Sequence, residues 1–363
     1  MKRIVNIVGA RPNFIKIAPI HALMRRMDEF DPQLIHTGQH YDDRMSKTFF
    51  DDLGLPRPDL YLGVGPGSHA RQTAAVMVEL EKALLELQPD RVVVVGDVNS
   101  TLAAALAAAK LNIPVAHVEA GLRSNDRTMP EEINRILTDA VSDLLFVSER
   151  SGMRNLAREG VDAARIHLVG NVMIDSLIGH LKKADGSNIL SRLSLDAGAF
   201  ALMTLHRPAN VDDPQVLEGI LDAIAAITER IPMIFPIHPR TRKNLTRFGC
   251  SARIDSMSNL ILLEPLGYLD FLHLMARTRL VLTDSGGIQE ETTYLGIPCL
   301  TLRENTERPV TLELGTNQLV GLDPDRILNA AINLLDGEPL TGRVPEKWDG
   351  NTAQRIVKIL ADS

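Results

Sequence analysis

Short β-branched runs alternate with longer helical patterns along nearly the whole chain. This alternation confines the fold to βαβ units built around parallel sheets. The pattern predicts strands at 4–8, 33–37, 91–95, 114–118, 144–147 and 166–169, with helices near 12–27, 69–87, 100–111, 130–142, 148–158 and 172–183. Val92, Val93, Val94 and Val95 show no polar alternation, as expected of a strand covered on both faces. A more polar stretch at 183–194 reads as the region just past a hinge, and the pattern then restarts. Strands at 200–204, 233–236, 260–263, 280–283, 299–302 and 318–320, with helices near 214–230, 268–276, 287–295 and 324–335, form a second parallel domain. Beyond the Gly/Pro-rich stretch 336–350, Asn351 and Gln354 resemble a capping box. The short amphipathic helix that follows carries Ile356, Val357, Ile359 and Leu360 and can pack back on the first domain.

The expected class is therefore α/β, with two Rossmann-like doubly wound parallel-sheet domains at 1–171 and 172–348 and a returning helix at 349–363. An interdomain cleft at the C-terminal sheet edges is the expected ligand site, because βα loops and helix N-termini converge there. The 363 residues, 45% of them hydrophobic, suffice for two cores. A net charge of −7 gives no general basic surface for nucleic acid. Cys250 and Cys299 read as core thiols of a reduced, cytoplasmic protein. The apolar run in MKRIVNIVG is too short for a signal peptide, and no run approaches the ~20 residues of a membrane span. The histidines lack metal-ligand spacing, so no metal is expected.

Chemistry-bearing residues cluster just after the strands. In LVLTDSGGIQEE, at 280–291, Ser285, Gly286 and Gly287 join a strand to a helix N-terminus, where unpaired amides and the helix dipole suit a phosphate. The same glycines would equally serve a tight packing turn. Glu290 or Glu291, one turn on, can accept from a ribose diol. The first strand leads to Arg11, an anion ligand or a solvent-facing cation, and then to Lys16, without a G-x-G-x-x-G fingerprint. Asp97 is either a helix cap or a functional carboxylate. Glu119 ends a buried strand, where a carboxylate is costly unless paired or functional. Glu131 and Arg135 are four apart and share a helix face, although acids in a first helical turn also satisfy the dipole. Three carboxylates from three loops suit proton transfer at carbon, where acid and base must flank one atom. His206 and His238 follow two strands of the second domain, and with the Ser-Gly-Gly turn they suggest a diphosphate pocket, to which the stretch 303–309 adds arginines.

Taken together, these segments resemble the non-hydrolysing UDP-N-acetylglucosamine 2-epimerases. The resemblance rests on G-A-R-P-x-x-x-K at 9–16, T-G-Q-H at 37–40, G-D-x-x-S-T at 96–101, H-V-E-A-G-L-R at 117–123 and P-E-E-x-N-R at 130–135. It continues with G-N-x-x-I-D at 170–175, L-H-R-x-x-N at 205–210, D-S-G-G-I-Q-E-E at 284–291 and T-E-R-P at 306–309. It implies a GT-B-like fold and reversible inversion at C2 of UDP-GlcNAc to UDP-ManNAc, through elimination of UDP to 2-acetamidoglucal and re-addition. It implies acid/base roles for Asp97, Glu119 and Glu131, and diphosphate or sugar contacts for His206 and Arg11. Ser285, Gly286 and Gly287 become the phosphate turn and Glu291 the ribose partner, with Lys16, Arg135, His238 and Arg308 in the same substrate site. No cofactor and a homodimer follow from the same likeness. The chain departs from many members at Asn13 and Val310, where they carry glutamate, and its second loop reads Gln39-His40-Tyr41-Asp42 where some carry Q-H-R-E and bind an activating second UDP-GlcNAc. Competing expectations are a 2-epimerase of UDP-2,3-diacetamido-uronic acid, a hydrolysing 2-epimerase, a GT-B glycosyltransferase and a nucleotide-sugar binder without turnover.

Overall fold

The computed structural model describes residues 1–39, 57–337 and 340–363. The chain divides into two compact units, 1–179 with 346–363, and 180–345. The first contains β1 (Lys2–Val8), α1 (Arg11–Met24), β2 (Phe30–His36), β3 (Leu60–Tyr61), α2 (His69–Leu87), β4 (Arg91–Val95) and α3 (Asn99–Lys110). It continues with β5 (Val115–Ala120), α4 (Pro130–Val141), β6 (Leu144–Val147), α5 (Arg150–Arg158) and β7 (Ile166–Leu168), and the division falls within α6 (Val172–Ala184). Its parallel strands lie in the order β3-β2-β1-β4-β5-β6-β7.

The second unit contains α7 (Ile189–Leu193), β8 (Ala201–Thr204), α8 (Pro208–Val211), α9 (Pro214–Thr228), β9 (Met233–Pro236), α10 (Pro239–Arg247), α11 (Ser251–Asp255), β10 (Leu260–Leu263) and α12 (Tyr268–Arg277). Then come β11 (Leu280–Thr283), α13 (Gly286–Leu295), β12 (Cys299–Thr301), α14 (Val310–Glu313), β13 (Asn317–Leu319) and α15 (Pro324–Asp336). Its parallel sheet runs β10-β9-β8-β11-β12-β13. Both sheets reverse strand order beside their first strand, between β1 and β4 and between β8 and β11. Such switch points open a crevice at the C-terminal strand ends, where ligands of doubly wound sheets bind.

The central strands β4 and β11 are covered on both faces: Val92, Val93, Val94 and Val95 are all buried, and so are Leu280, Val281 and Leu282. Alanines 103, 104, 105, 107 and 108 of α3 are buried as well, and their small side chains let that helix lie close to its neighbours. Several short elements, among them β3, α7, α8, α10, α11 and α14, are absent from the sequence pattern. Strand β3 has only two residues, both exposed, too short a run to show a strand period. Helix α10 (PRTRKNLTR) lacks an apolar stripe, and it starts because Pro239 fits its first position and the His238 ring accepts the Arg240 amide at 3.2 Å.

The last helix, α16 (Thr352–Asp362), belongs to the first unit and packs against α1 with Ile356, Val357 and Leu360 buried. Asp175 accepts the backbone N–H groups of Thr352 and Ala353 at 3.1 and 2.7 Å, satisfying the helix start. Lys2 Nζ donates to the carbonyls of Ala361 and Ser363 at 2.8 and 3.0 Å, placing a cation at the negative end of the dipole. Trp348 is buried, and its indole donates to the Ser148 carbonyl at 3.0 Å. Among the described residues, no helix is long and apolar enough to cross a membrane.

Candidate active site

In the first unit the central residue is Glu119. The β5–β6 register shifts between Val118 and Ala120, so Glu119 occupies a bulge, with φ at 74°. A non-glycine residue in this left-handed region carries strain, on the order of 1 kcal/mol or more. The bulge delivers the carboxylate to Lys16, whose Nζ donates to Glu119 Oε2, with both side chains buried. A buried pair of this kind tolerates loss of neither partner, because the survivor keeps its desolvation cost. Asn13 ties the neighbouring loops together. Its oxygen accepts the Ala10 amide at 2.9 Å, and its nitrogen donates to the Val95 carbonyl at 2.8 Å. Gly96, with φ at 70°, then turns β4 toward Asp97.

Asp97 accepts from Arg135 Nη1 at 2.5 Å. The rest of that guanidinium binds Glu132 Oε2, at 2.7 Å from Nη2 and 3.1 Å from Nε. This corrects the expected pairing of Arg135 with Glu131. Glu132 is buried and also accepts the amides of Ser124 and Asn125, both at 2.9 Å, so the loop before α4 selects it over its neighbour. Burial alone would raise the Glu132 pKa, but these amides and Arg135 lower it. Glu131 stands half-buried in the first turn of α4. Asp97, Glu119, Lys16 and Arg135 thus come together at the ends of β4 and β5 and on α1 and α4. The side chain of Arg11, and His40, Tyr41 and Asp42 of the second loop, lie outside the described residues.

In the second unit, β8 and β11 are neighbours, which brings His206 beside Asp284. Asp284 is buried and accepts the amides of His206 and Arg207 at 2.8 and 2.7 Å, and its other oxygen lies 2.8 Å from His206 Nδ1. Burial opposes the Asp284 charge, yet the His206 ring and the two amides hold its pKa below the usual value. With Nδ1 taken, Nε2 of the 40%-exposed His206 ring is the nitrogen a ligand can reach. His238 is exposed, and its ring centroid lies 5.6 Å from that of His206.

Ser285 is the N-cap of α13, and Gly286 and Gly287 form the first turn. A Cβ on Gly286 would sit 2.5 Å from Arg308 Nη1 and 2.8 Å from Glu307 Oε1, so this glycine makes room for an ion pair beneath the turn. Arg308 is buried, with Nε 2.9 Å from Glu290 Oε1 and Nη1 against Glu307. Arg303 Nη2 reaches Glu307 at 2.7 Å. Despite burial, Arg308, Arg303 and Arg207 hold Glu307 well below the usual carboxylate range. Arg308 therefore supports the turn from below. Glu291 is also buried and accepts from Tyr268 Oη at 3.0 Å.

Burial, reinforced by the neighbouring charge of Glu290, pushes the Glu291 pKa up to about 7. A raised carboxyl pKa means the folded state holds the proton more tightly. The resulting stability is complete in acid below the unfolded pKa and is lost as pH rises through about 7. Glu291→Gln should therefore gain melting temperature relative to wild type between about pH 5 and about pH 8. A difference in melting temperature that stays constant over this range would contradict the assignment.

Comparison with known proteins now bears on this geometry. The family model for UDP-N-acetylglucosamine 2-epimerase matches residues 22–361. A UDP-N-acetylglucosamine 2-epimerase of Methanococcus maripaludis is 43% identical over 371 residues, covering 99% of this chain and 98% of the relative. The chain belongs to the UDP-N-acetylglucosamine 2-epimerase family. A UDP-2,3-diacetamido-2,3-dideoxy-D-glucuronate 2-epimerase of Pseudomonas aeruginosa is 42% identical, with 99% of both chains covered. The crystal structure of Methanocaldococcus jannaschii UDP-GlcNAc 2-epimerase in complex with UDP-GlcNAc and UDP superposes with a TM-score of 0.94 at 43% identity, over 99% of this chain and 100% of that one.

Within this family member, Asp284 and Glu132 do work that the sequence pattern did not reveal. Asp284 reads as a turn residue, and its role as the His206 partner depends on β8 and β11 being adjacent. Glu132 differs from Glu131 only in which one meets the Ser124 and Asn125 amides.

Proposed function

We propose that this chain interconverts UDP-GlcNAc and UDP-ManNAc by inversion at C2. A base removes the C2 proton while UDP leaves C1, giving 2-acetamidoglucal and UDP. Re-addition of UDP with a proton on the opposite face completes the inversion. The observation that carries this proposal is the buried Lys16–Glu119 pair at a strained bulge, beside an Asp97 held by Arg135. Two carboxylates on separately fixed loops meet the need for acid and base on either side of one carbon. Glu131, one residue from the Arg135 partner, is the third candidate for this work. Arg11 and Lys16 serve substrate anionic groups on the same unit.

The second unit supplies the nucleotide contacts: His206 and His238 toward the diphosphate, Ser285, Gly286 and Gly287 as the amide turn, and Glu291 toward the ribose. Arg308 holds that turn. The chain acts without a metal or cofactor, as a cytoplasmic homodimer. The 42% identity to the Pseudomonas enzyme supports a UDP-diacetamido-uronate as the alternative substrate, handled by the same chemistry.

The nucleotide assignment has a direct test. Gly287→Val crowds the helix N-terminus that would face phosphate, and should weaken UDP binding in calorimetry by about tenfold, the loss expected for one charge-assisted hydrogen bond. Ser285→Ala should act in the same direction with a smaller effect. Wild-type UDP affinity in both variants would return the turn to a packing role. Turnover itself is read from the appearance of UDP-ManNAc when the protein is incubated with UDP-GlcNAc.

A further inference from the structure

Helix α4 does more than present Arg135 to Asp97. One turn further along it, Asp139 is almost fully buried and grips β5 on both sides of Glu119. Its Oδ1 lies 2.7 Å from His117 Nδ1, and its Oδ2 accepts the Gly121 amide at 3.0 Å. Arg123 Nη1 approaches the same carboxylate at 2.8 Å, and Arg123 is held in turn by Glu159. The opposite ring nitrogen, His117 Nε2, lies 2.9 Å from the carbonyl of Gly96, the residue before Asp97. Both nitrogens of His117 face oxygen atoms, so the ring bridges helix α4 to the loop after β4. The His117 ring is fully buried, and no ligand can reach it directly.

We propose that Asp139, acting through His117, is the positioning residue that sets Glu119 and Asp97 for proton transfer. The logic is mechanical. Glu119 sits at φ 74°, a conformation that persists only where surrounding contacts over-determine it. Asp139 fixes residues 117 and 121, which bracket Glu119, while His117 fixes the carbonyl beside Asp97. Arg135 and Asp139 are four apart on one helix, so α4 sets the loops after β4 and β5 from a single rigid element. Asn134 adds to this, donating to the Asp97 backbone carbonyl at 2.8 Å. A displacement of about 1 Å in a catalytic group can cost about a hundredfold in rate.

This inference rests on the proposed role of Glu119 in moving the C2 proton, and the experiment separates the two. Asp139→Asn keeps the shape but presents an amide where one oxygen received Gly121 or His117. Its kcat should fall about a hundredfold. KM for UDP-GlcNAc and the calorimetric UDP affinity should stay within about twofold, because the phosphate turn lies on the other unit. Should Asp139→Asn not fold, His117→Gln leaves the contacts of Asp139 with Gly121 and Arg123 in place and carries the same expectation. Glu119→Gln is measured alongside. If Glu119→Gln is inactive while a folded Asp139→Asn or His117→Gln turns over at the wild-type rate, the positioning role is overturned and the proton-transfer role stands. A loss of UDP affinity that parallels the loss of kcat would also overturn it, by revealing general structural damage. Full activity in Glu119→Gln would instead remove the proton-transfer role itself.

Discussion

Glu119→Gln is expected to lower kcat by about a thousandfold, within the range that a positioned acid or base contributes. UDP affinity should change by less than about twofold, because Glu119 belongs to the first unit and the phosphate turn to the second. The glutamine is close to isosteric, and its carbonyl oxygen can still accept from Lys16 Nζ. The buried ammonium therefore keeps a partner, and the variant should fold. What the amide lacks is the capacity to take up a proton at neutral pH. A variant with the wild-type rate would exclude Glu119 from the proton-transfer groups and leave its strained backbone without a catalytic explanation. A variant that loses rate and UDP affinity in equal measure would point to collapse of the site.

The largest effect on stability is expected at a glycine away from this chemistry. Gly170 lies between β7 and α6 with φ at 97°, and a Cβ there would sit 2.1 Å from the Lys347 carbonyl oxygen. Two stretches of backbone cross at this point. Lys347 Nζ donates to the Leu168 carbonyl at 2.7 Å, and Arg355 Nη1 donates to the Val169 carbonyl at 2.9 Å. No flexible side-chain end can give way to the added methyl group. Gly170→Ala should therefore cost about 3 kcal/mol or more, the sum of left-handed strain and a displaced contact. That corresponds to a fall in melting temperature of about 6 °C or more. Gly160→Ala is the control: φ there is 78°, but no atom lies within 4 Å of the added Cβ, so strain alone acts and the cost should be about 1 kcal/mol. Equal losses in the two variants would show that the return of the C-terminal segment onto this unit does not depend on the close crossing.

The strands were legible because their composition leaves little choice. β4, β6, β9, β10 and β11 begin and end where the sequence pattern places them, since short apolar runs between polar loops mark strands. The candidate residues were sought at the strand ends for a topological reason. The side-chain partnerships were not. Spacing on α4 pointed Arg135 to Glu131, whereas the amides of Ser124 and Asn125 in a separate loop place Glu132 against it. Asp284 looked like a turn residue, because nothing local shows that β8 will pair with β11 and place His206 against it. Gly286 allowed two readings, ligand approach or a packing turn, and only the tertiary structure shows that its missing side chain makes room for Arg308 and Glu307, about twenty residues later. Charges buried in pairs are fixed by tertiary contacts, and a linear pattern carries only their presence.

Proton NMR of the purified protein with UDP-GlcNAc in D2O tests the central claim most directly. C2 inversion by elimination and re-addition predicts UDP-ManNAc that carries deuterium at C2, with UDP-GlcNAc acquiring the same label as equilibrium is approached. Free ManNAc and UDP would indicate a site that lets water capture the intermediate. An unchanged spectrum with UDP-GlcNAc, together with C2 inversion of a UDP-diacetamido-uronate, would reassign the substrate and leave the chemistry intact. No exchange at C2 with either sugar would contradict the account.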